Sequence, residues 1–305
     1  MLSRVARRVY WMARYIERAE NTARLVNTYH FMLLDLPRGT RVGWDILPVI
    51  TGGYEQFSER YQRHDERNTV KFLLADSNNP ASLMNSIAIA RENCRTSREV
   101  LPGHAWEQLN ELKLYADARV NDALPRRDRF NILTAIIHRC QQLTGLLAGT
   151  MTHDHAYDFI RIGRNLERAD MSSRVVDMGA LSLQGPEDTS GLDVHVWTSM
   201  LKAMNAYQMY RKDVQIGVHC ADVVGFLLQN DYYPRSVVHC LDQVEECLGD
   251  LPLHKETLTP IREARRRLSR IKPHKLNANT LHAEIDRLQV GFSGIHKKIR
   301  ETWFT

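Results

Sequence analysis

Leu2, Val5, Val9, Met12, Ile16, Ala19, Ala23 and Val26 follow one another at alternating steps of three and four. That spacing lays one apolar stripe along a helix. Phe159, Ile162, Leu166, Ala169 and Val176 repeat the pattern further on. Helical periodicity continues through the rest of the chain. No run alternates apolar and polar residues and no hairpin signal occurs, so an all-α fold is expected.

Turn and cap signals divide the pattern into about six helices in each half. In the first half they are expected near 3–34, 43–62, 65–76, 80–100, 104–121 and 129–150. In the second they are expected near 155–184, 192–212, 214–229, 234–249, 255–271 and 278–302. Pro37-Arg38-Gly39, Gln184-Gly185-Pro186 and Ile271-Lys272-Pro273 read as stops. Asn79 reads as an N-cap with Pro80 at the first helical position, and Tyr233-Pro234 occupies the same place.

The halves share motifs in the same order. Arg14, Glu17, Arg18, Ala19 and Arg24 recur as Arg164, Glu167, Arg168, Ala169 and Arg174, 150 positions later, and Glu20 recurs as Asp170. Trp44 and Tyr54 match Trp197 and Tyr207 at an offset of 153, and Phe72-Leu73-Leu74 matches Phe226-Leu227-Leu228 at 154. Leu101-Pro102 matches Leu251-Pro252. The expected organisation is two tandem six-helix pseudo-repeats, 1–152 and 153–305, packed as one body.

The 305 residues are 43% hydrophobic and 25% charged, which is a soluble globular composition. A net charge of +5 permits anionic ligands without calling for nucleic acid. Cys94, Cys140, Cys220, Cys240 and Cys247 are odd in number and scattered. Reduced thiols and a cytoplasmic location are expected. No apolar run follows Arg4, Arg7 and Arg8, so no signal peptide is expected. His138, Arg139, Gln141 and Gln142 interrupt the apolar stretch from Ile132 to Thr152, which reads as a buried helix, not a membrane span.

The doubled Arg/Glu motif is the leading candidate site. If the halves are related by a pseudo-two-fold axis, Glu17, Glu20, Glu167 and Asp170 converge. Four carboxylates in a bundle raise a two-metal centre, but such sites add Glu-x-x-His, and here the later position holds Glu20 or Asp170. Arg14, Arg18, Arg24, Arg164, Arg168 and Arg174 outnumber those acids by six to four. A positive surplus suits a carboxylate or phosphate better than a metal ion. Two readings stay open beside the metal: an anion site, with the acids holding the arginines, and a buried ionic lattice that fixes how the halves dock. Glu17 and Glu20 are also weak candidates for acid–base catalysis in amide chemistry, although arginine neighbours depress a carboxylate pKa and make it a poor base.

A second polar set is Arg91, Glu92, Arg95, Arg98 and Glu99, whose counterpart in the second half, Asp242 to Glu246, lacks arginine. Arg91 and Arg95 join the candidate ligand-binding residues on that asymmetry. The run Arg262, Arg265, Arg266, Arg267, Arg270, Lys272 and Lys275 has only Glu263 opposing it in sequence and no interleaved aromatics. It reads as a solvated helix face before a nucleic-acid surface. His219-Cys220, His239-Cys240 and Cys247 match no zinc spacing and read as core. No cofactor is called for.

Leu2-Ser3-Arg4, Tyr10-Trp11, Arg14-Tyr15-x-Glu17-Arg18-Ala19-Glu20-Asn21-x-Ala23-Arg24, Ala90-Arg91-Glu92-Asn93 and Leu166-Glu167-Arg168-Ala169-Asp170 resemble the bacterial alpha-E family, an all-helical domain of unknown function. The resemblance covers nearly the whole chain. Arg7 stands where such proteins usually carry an acid, and Ala13 where they usually carry Gly, as Gly163 does. The family is similar to components found beside circularly permuted ATP-grasp ligases and transglutaminase-like proteins. The resemblance therefore implies an accessory or ligand-binding part in amide or peptide ligation.

Overall fold

The structure is a computed structural model that describes residues 2–35, 43–181, 190–215 and 217–305. The described residues form fourteen α-helices and no strand. In chain order they are α1 (Ser3–Asp35), α2 (Ile46–Ile50), α3 (Tyr54–Arg60), α4 (Glu66–Leu74), α5 (Leu83–Arg95), α6 (Gly103–Arg119) and α7 (Arg126–Thr150). There follow α8 (His155–Leu181), α9 (Ser190–Ala203), α10 (Tyr207–Asp213), α11 (Cys220–Gln229), α12 (Val237–Gly249), α13 (Leu258–Arg270) and α14 (Ala278–Trp303). The expected stops at Pro37-Arg38-Gly39 and Gln184-Gly185-Pro186 lie outside the described residues.

Two of the expected helices are each broken in two. The stretch 43–62 becomes α2 and α3, and 192–212 becomes α9 and α10. Gly52 has φ 72° at the first break and Asn205 has φ 56° at the second. A left-handed residue ends a helix, and Gly and Asn are the residues that adopt that conformation most cheaply. Gly52 and Asn205 stand 153 positions apart, the offset of Trp44 and Trp197. The starts of α5 and α12 correct the expected caps. Ser82 and Ser236 are the N-caps, accepting from the N–H groups of Asn85 and His239. Asn79 instead accepts from the Ala81 N–H in the preceding turn.

Contacts divide the chain into two compact units. Unit 1 comprises 1–27, 43–167 and 300–305, and unit 2 comprises 28–42 and 168–299. In unit 1, α1 is buried well beyond its stripe. Val9, Met12, Ile16, Ala19, Ala23 and Val26 are buried as expected, and so are Glu17, Glu20, Asn21 and Thr22. Leu2, just before the first turn, is exposed. Helix α7 flanks α1, with the Asn27 amide near Phe130 O and Thr134 Oγ1. Helix α8 flanks it too, with Gly163 against the Tyr10 carbonyl. Ile132, Ile136, Cys140, Leu143 and Leu147 form the buried face of α7, while His138 and Gln141 face solvent.

In unit 2, α12 packs against α11 and α13. Its core includes Val223, Phe226, Leu227, Cys240, Leu241, Val244, Cys247 and Leu248. Of the His/Cys residues read as core, Cys240 and Cys247 are buried, Cys220 and His239 are half-buried, and His219 is exposed. Among the described residues, no helix is long and apolar enough to cross a membrane.

Candidate functional site

The Arg motif of α1 and Glu167 of α8 meet in unit 1. One turn of helix separates Arg14 from Arg18, so both guanidinium groups reach the same carboxylate. Arg14 Nε donates to Glu167 Oε2 at 2.7 Å. Arg18 Nε donates to Oε1 at 2.6 Å, and its Nη2 to Oε2 at 3.1 Å. The Arg18 contact is a two-point fork, the strongest form of this pairing. The side chain of Glu167 is 4% exposed, that of Arg14 13% and that of Arg18 23%.

Burial by itself would raise the Glu167 pKa. Arg18 and Arg14 outweigh it and bring the carboxyl down to about 2. Burial likewise opposes the charge on Arg18, and Glu167 more than offsets it, leaving Arg18 above its ordinary value. A carboxylate so held stays ionised and makes a poor proton acceptor at neutral pH.

Aromatic side chains of the same helix support the arginines. The Arg14 guanidinium lies 5.2 Å from the Trp11 ring centre and 5.8 Å from that of Tyr10, and its Nη1 donates to the Tyr10 hydroxyl. Arg18 lies 5.2 Å from the Tyr15 ring centre. The helical spacings Tyr10–Arg14, Trp11–Arg14 and Tyr15–Arg18 carry this signal in the sequence.

The remaining motif residues make other contacts. Glu20 is held by Arg24, whose Nε donates at 2.9 Å, the i,i+4 pair expected from sequence. Asp170 and Arg174 form the corresponding pair at 3.0 Å in unit 2. Glu17 and Arg164 line a cavity of about 10 Å³ with Ala13, Thr144, Leu147 and Ile160, roughly the room of one water. Glu17 and Glu20 face α7 at Cys140, whose thiol pKa is raised by burial first and by these two acids next. Arg168 lies in unit 2. Among the described residues, no three His, Cys, Asp or Glu side chains are grouped as metal ligands.

The second set is a separate cluster in unit 1. Arg91 Nε donates to Asn110 Oδ1 at 2.8 Å, and Arg95 forks onto Glu92. Arg91 and Arg98 both lie over the Trp106 ring, at 4.9 and 4.2 Å from its centre. Arg8 donates to the Thr96 carbonyl at 2.8 Å.

A further polar cluster went unread in the sequence. Arg129 is buried and donates to Ala123 O at 3.0 Å and to Glu66 at 2.7 Å, beneath Trp44. Its signal was a charged residue on the apolar stripe of α7, one turn before Ile132 and Leu133. The basic run is also not a plain solvated face: Arg262 and Arg265 pair with Glu245 and Asp242 of α12.

The Alpha-E family profile, described as a predicted alpha-helical domain with a conserved ER motif, matches residues 1–304. The chain belongs to the Alpha-E family. Glu17-Arg18 and Glu167-Arg168 are Glu-Arg pairs of the kind that description names. This Alpha-E chain is 25% identical to an uncharacterized protein of Mycobacterium bovis and to one of Mycobacterium tuberculosis strain CDC 1551. It is 24% identical to an uncharacterized protein of Mycobacterium tuberculosis strain H37Rv. Each similarity covers 98% of this chain and 36% of the relative, so the Alpha-E chain spans about a third of the length of these relatives. No solved structure matches it.

Proposed function

We propose that this Alpha-E chain is an accessory, ligand-binding component that works with an ATP-grasp-type amide ligase, and that its Arg motif receives an anionic group. One observation carries the binding half of this reading. Arg14 and Arg18 share a single carboxylate, and no described residue hydrogen-bonds Nη1 of Arg18, whose side chain is 23% exposed. An uncommitted guanidinium edge suits a carboxylate, an acyl phosphate or a phosphate. The accessory half is supported by the relatives, where the matched region is 36% of a longer chain and lies beside further sequence. The ligase class, and a transglutaminase-like protein as a further partner, come from the family resemblance.

Calorimetry with ATP, ADP, phosphate and acidic peptides, alone and with the ligase, tests this. Arg18→Lys keeps the charge and loses the fork, so it should weaken binding by about tenfold. No binding under either condition ends the reading, and binding indifferent to Arg18→Lys places the site elsewhere.

The small cavity beside Glu17 favours a second reading, in which the motif only locks α1 to α8. Under that reading Arg18→Lys lowers the melting temperature and leaves every binding isotherm unchanged.

A further inference from the structure

The basic run splits into two faces on α13. Ile261, Ala264 and Leu268 are buried, and Arg262 and Arg265 turn to the acids of α12. Arg266, Arg267 and Arg270 turn the other way. With Lys272 and Lys275 they line a cavity of about 590 Å³, floored by Ile271 and Leu276. That volume is of the size that holds a small ligand.

The charges there are largely uncompensated. Arg267 faces Glu284 at 3.6 Å, and Glu284 is shared with Arg287. Arg270, Lys272 and Lys275 meet no acid among the described residues, and Arg266 makes only a bond from its Nε–H to the Arg262 carbonyl. Glu263 is the other acid on the wall.

The end of a helix is an unfavourable place for an anion, because its last carbonyls point outward. Here Gln229 removes part of that objection. Its Nε2 donates to the carbonyls of Leu268 and Ile271, at 2.6 and 2.8 Å. The same two bonds hold the end of α13 as far as Ile271, just before Lys272 and the Pro273–Lys275 turn.

We infer that this cavity of unit 2 is a binding site for a compact oligophosphate, held by Arg266, Arg270, Lys272 and Lys275. Two guanidinium forks one turn apart match adjacent phosphoryl groups, and the lysines add point charges. No aromatic side chain lines the cavity, so no base is stacked. Recognition rests on phosphates and is indifferent to the base. Extended single-stranded nucleic acid needs stacking platforms that are absent from this wall. The site uses none of the residues of the Arg14–Glu167–Arg18 triad and stands or falls apart from it.

The test is calorimetry of the full chain at low ionic strength with tripolyphosphate, ADP and GDP as probes. All three should bind, ADP and GDP alike. Arg266→Gln with Arg270→Gln should weaken all three by about tenfold or more. These side chains are exposed, so the fold should survive, as circular dichroism would show. Arg262→Gln, on the α12 side of the helix, should leave affinity unchanged. Absence of tripolyphosphate binding overturns the inference. So does equal weakening by Arg262→Gln, or a single-stranded oligonucleotide that binds more tightly than any of the three probes.

Discussion

Gly163 lies against the carbonyl of Tyr10, so that a β-carbon built on it would stand 2.3 Å from that oxygen. The obstacle is backbone, on a helix that is buried on several sides, and neither helix can yield by rotating a side chain. Gly163→Ala is therefore expected to force α1 and α8 apart and to destabilise the protein by roughly 1–3 kcal/mol. Gly145→Ala on α7 is the control, since nothing lies within 4 Å of its added carbon. That substitution should stabilise by up to about 1 kcal/mol through helix propensity. Urea denaturation of both variants checks the pair. An unchanged midpoint for Gly163→Ala would show that the helices are less tightly apposed than described.

Asn205 carries the left-handed turn between α9 and α10 at φ 56°. Asn tolerates this conformation better than other residues with a β-carbon, and Gly pays no penalty there. Asn205→Ala should cost roughly 1 kcal/mol, and Asn205→Gly should be neutral or slightly stabilising. Thermal melts of the two variants decide it. Equal losses would mean that the Asn side chain, not the backbone, matters at this position.

Much of this was legible in the sequence, for identifiable reasons. The stripe of α1 predicted its buried apolar positions because helical spacing alone determines which residues share a face. The same spacing gave the Glu20–Arg24 pair. It could not give the burial of Glu17 and Glu20, because a single stripe implies one buried face, whereas α1 in unit 1 has α7 and α8 against it. Nor could it give the partners of Glu167. Arg14 and Arg18 are 153 and 149 positions away, and no local rule chooses among six motif arginines. The two helix breaks were missed because Gly52 and Asn205 sit within otherwise helical patterns, where the cost of a lone Gly or Asn is small enough for tertiary context to decide. The pairing of Arg262 and Arg265 was missed because their acids lie on α12, not in the run itself.

His282 of α14 should titrate above its ordinary 6.5, because its Nδ1 is hydrogen-bonded to Asp177 Oδ1 at 2.8 Å. Asp286 stands 3.6 Å from its Nε2 and acts in the same direction. Burial raises Asp177 above its ordinary 3.8 despite the histidine, so the ion pair exists between the raised carboxyl value and the raised imidazole value. A base whose folded pKa is raised contributes stability that is complete below the unfolded pKa and is lost as pH rises through the folded one. Stability of unit 2 should therefore decline on the alkaline side of 6.5, and His282→Gln should remove that slope. Proton NMR of the imidazole ring checks the first step, and a His282 that titrates at or below 6.5 would sink the prediction.

Glu167 predicts the opposite limb of the pH profile. Its folded carboxyl lies at about 2 against an ordinary 4.5, with Arg18 and Arg14 overcoming the effect of burial. An acid whose folded pKa is depressed contributes stability that is present above the unfolded pKa and lost as pH falls through the folded one. The contribution should be complete at neutral pH, decline below 4.5 and be gone below about 2. Its size is of order 3 kcal/mol, from the free energy equivalent of the shift. Glu167→Gln keeps the shape of the side chain and leaves Arg14 and Arg18 facing each other with their shared counter-charge removed. Breaking a buried pair from one side costs about 3–5 kcal/mol, because the remaining charge loses both water and partner. The variant should therefore be less stable than the parent at neutral pH, and the two stabilities should converge as the pH approaches 2. Denaturant titrations across the acid range measure both curves. Parallel curves, with a constant gap down to the lowest pH, would show that the carboxylate charge is not what holds α8 to α1.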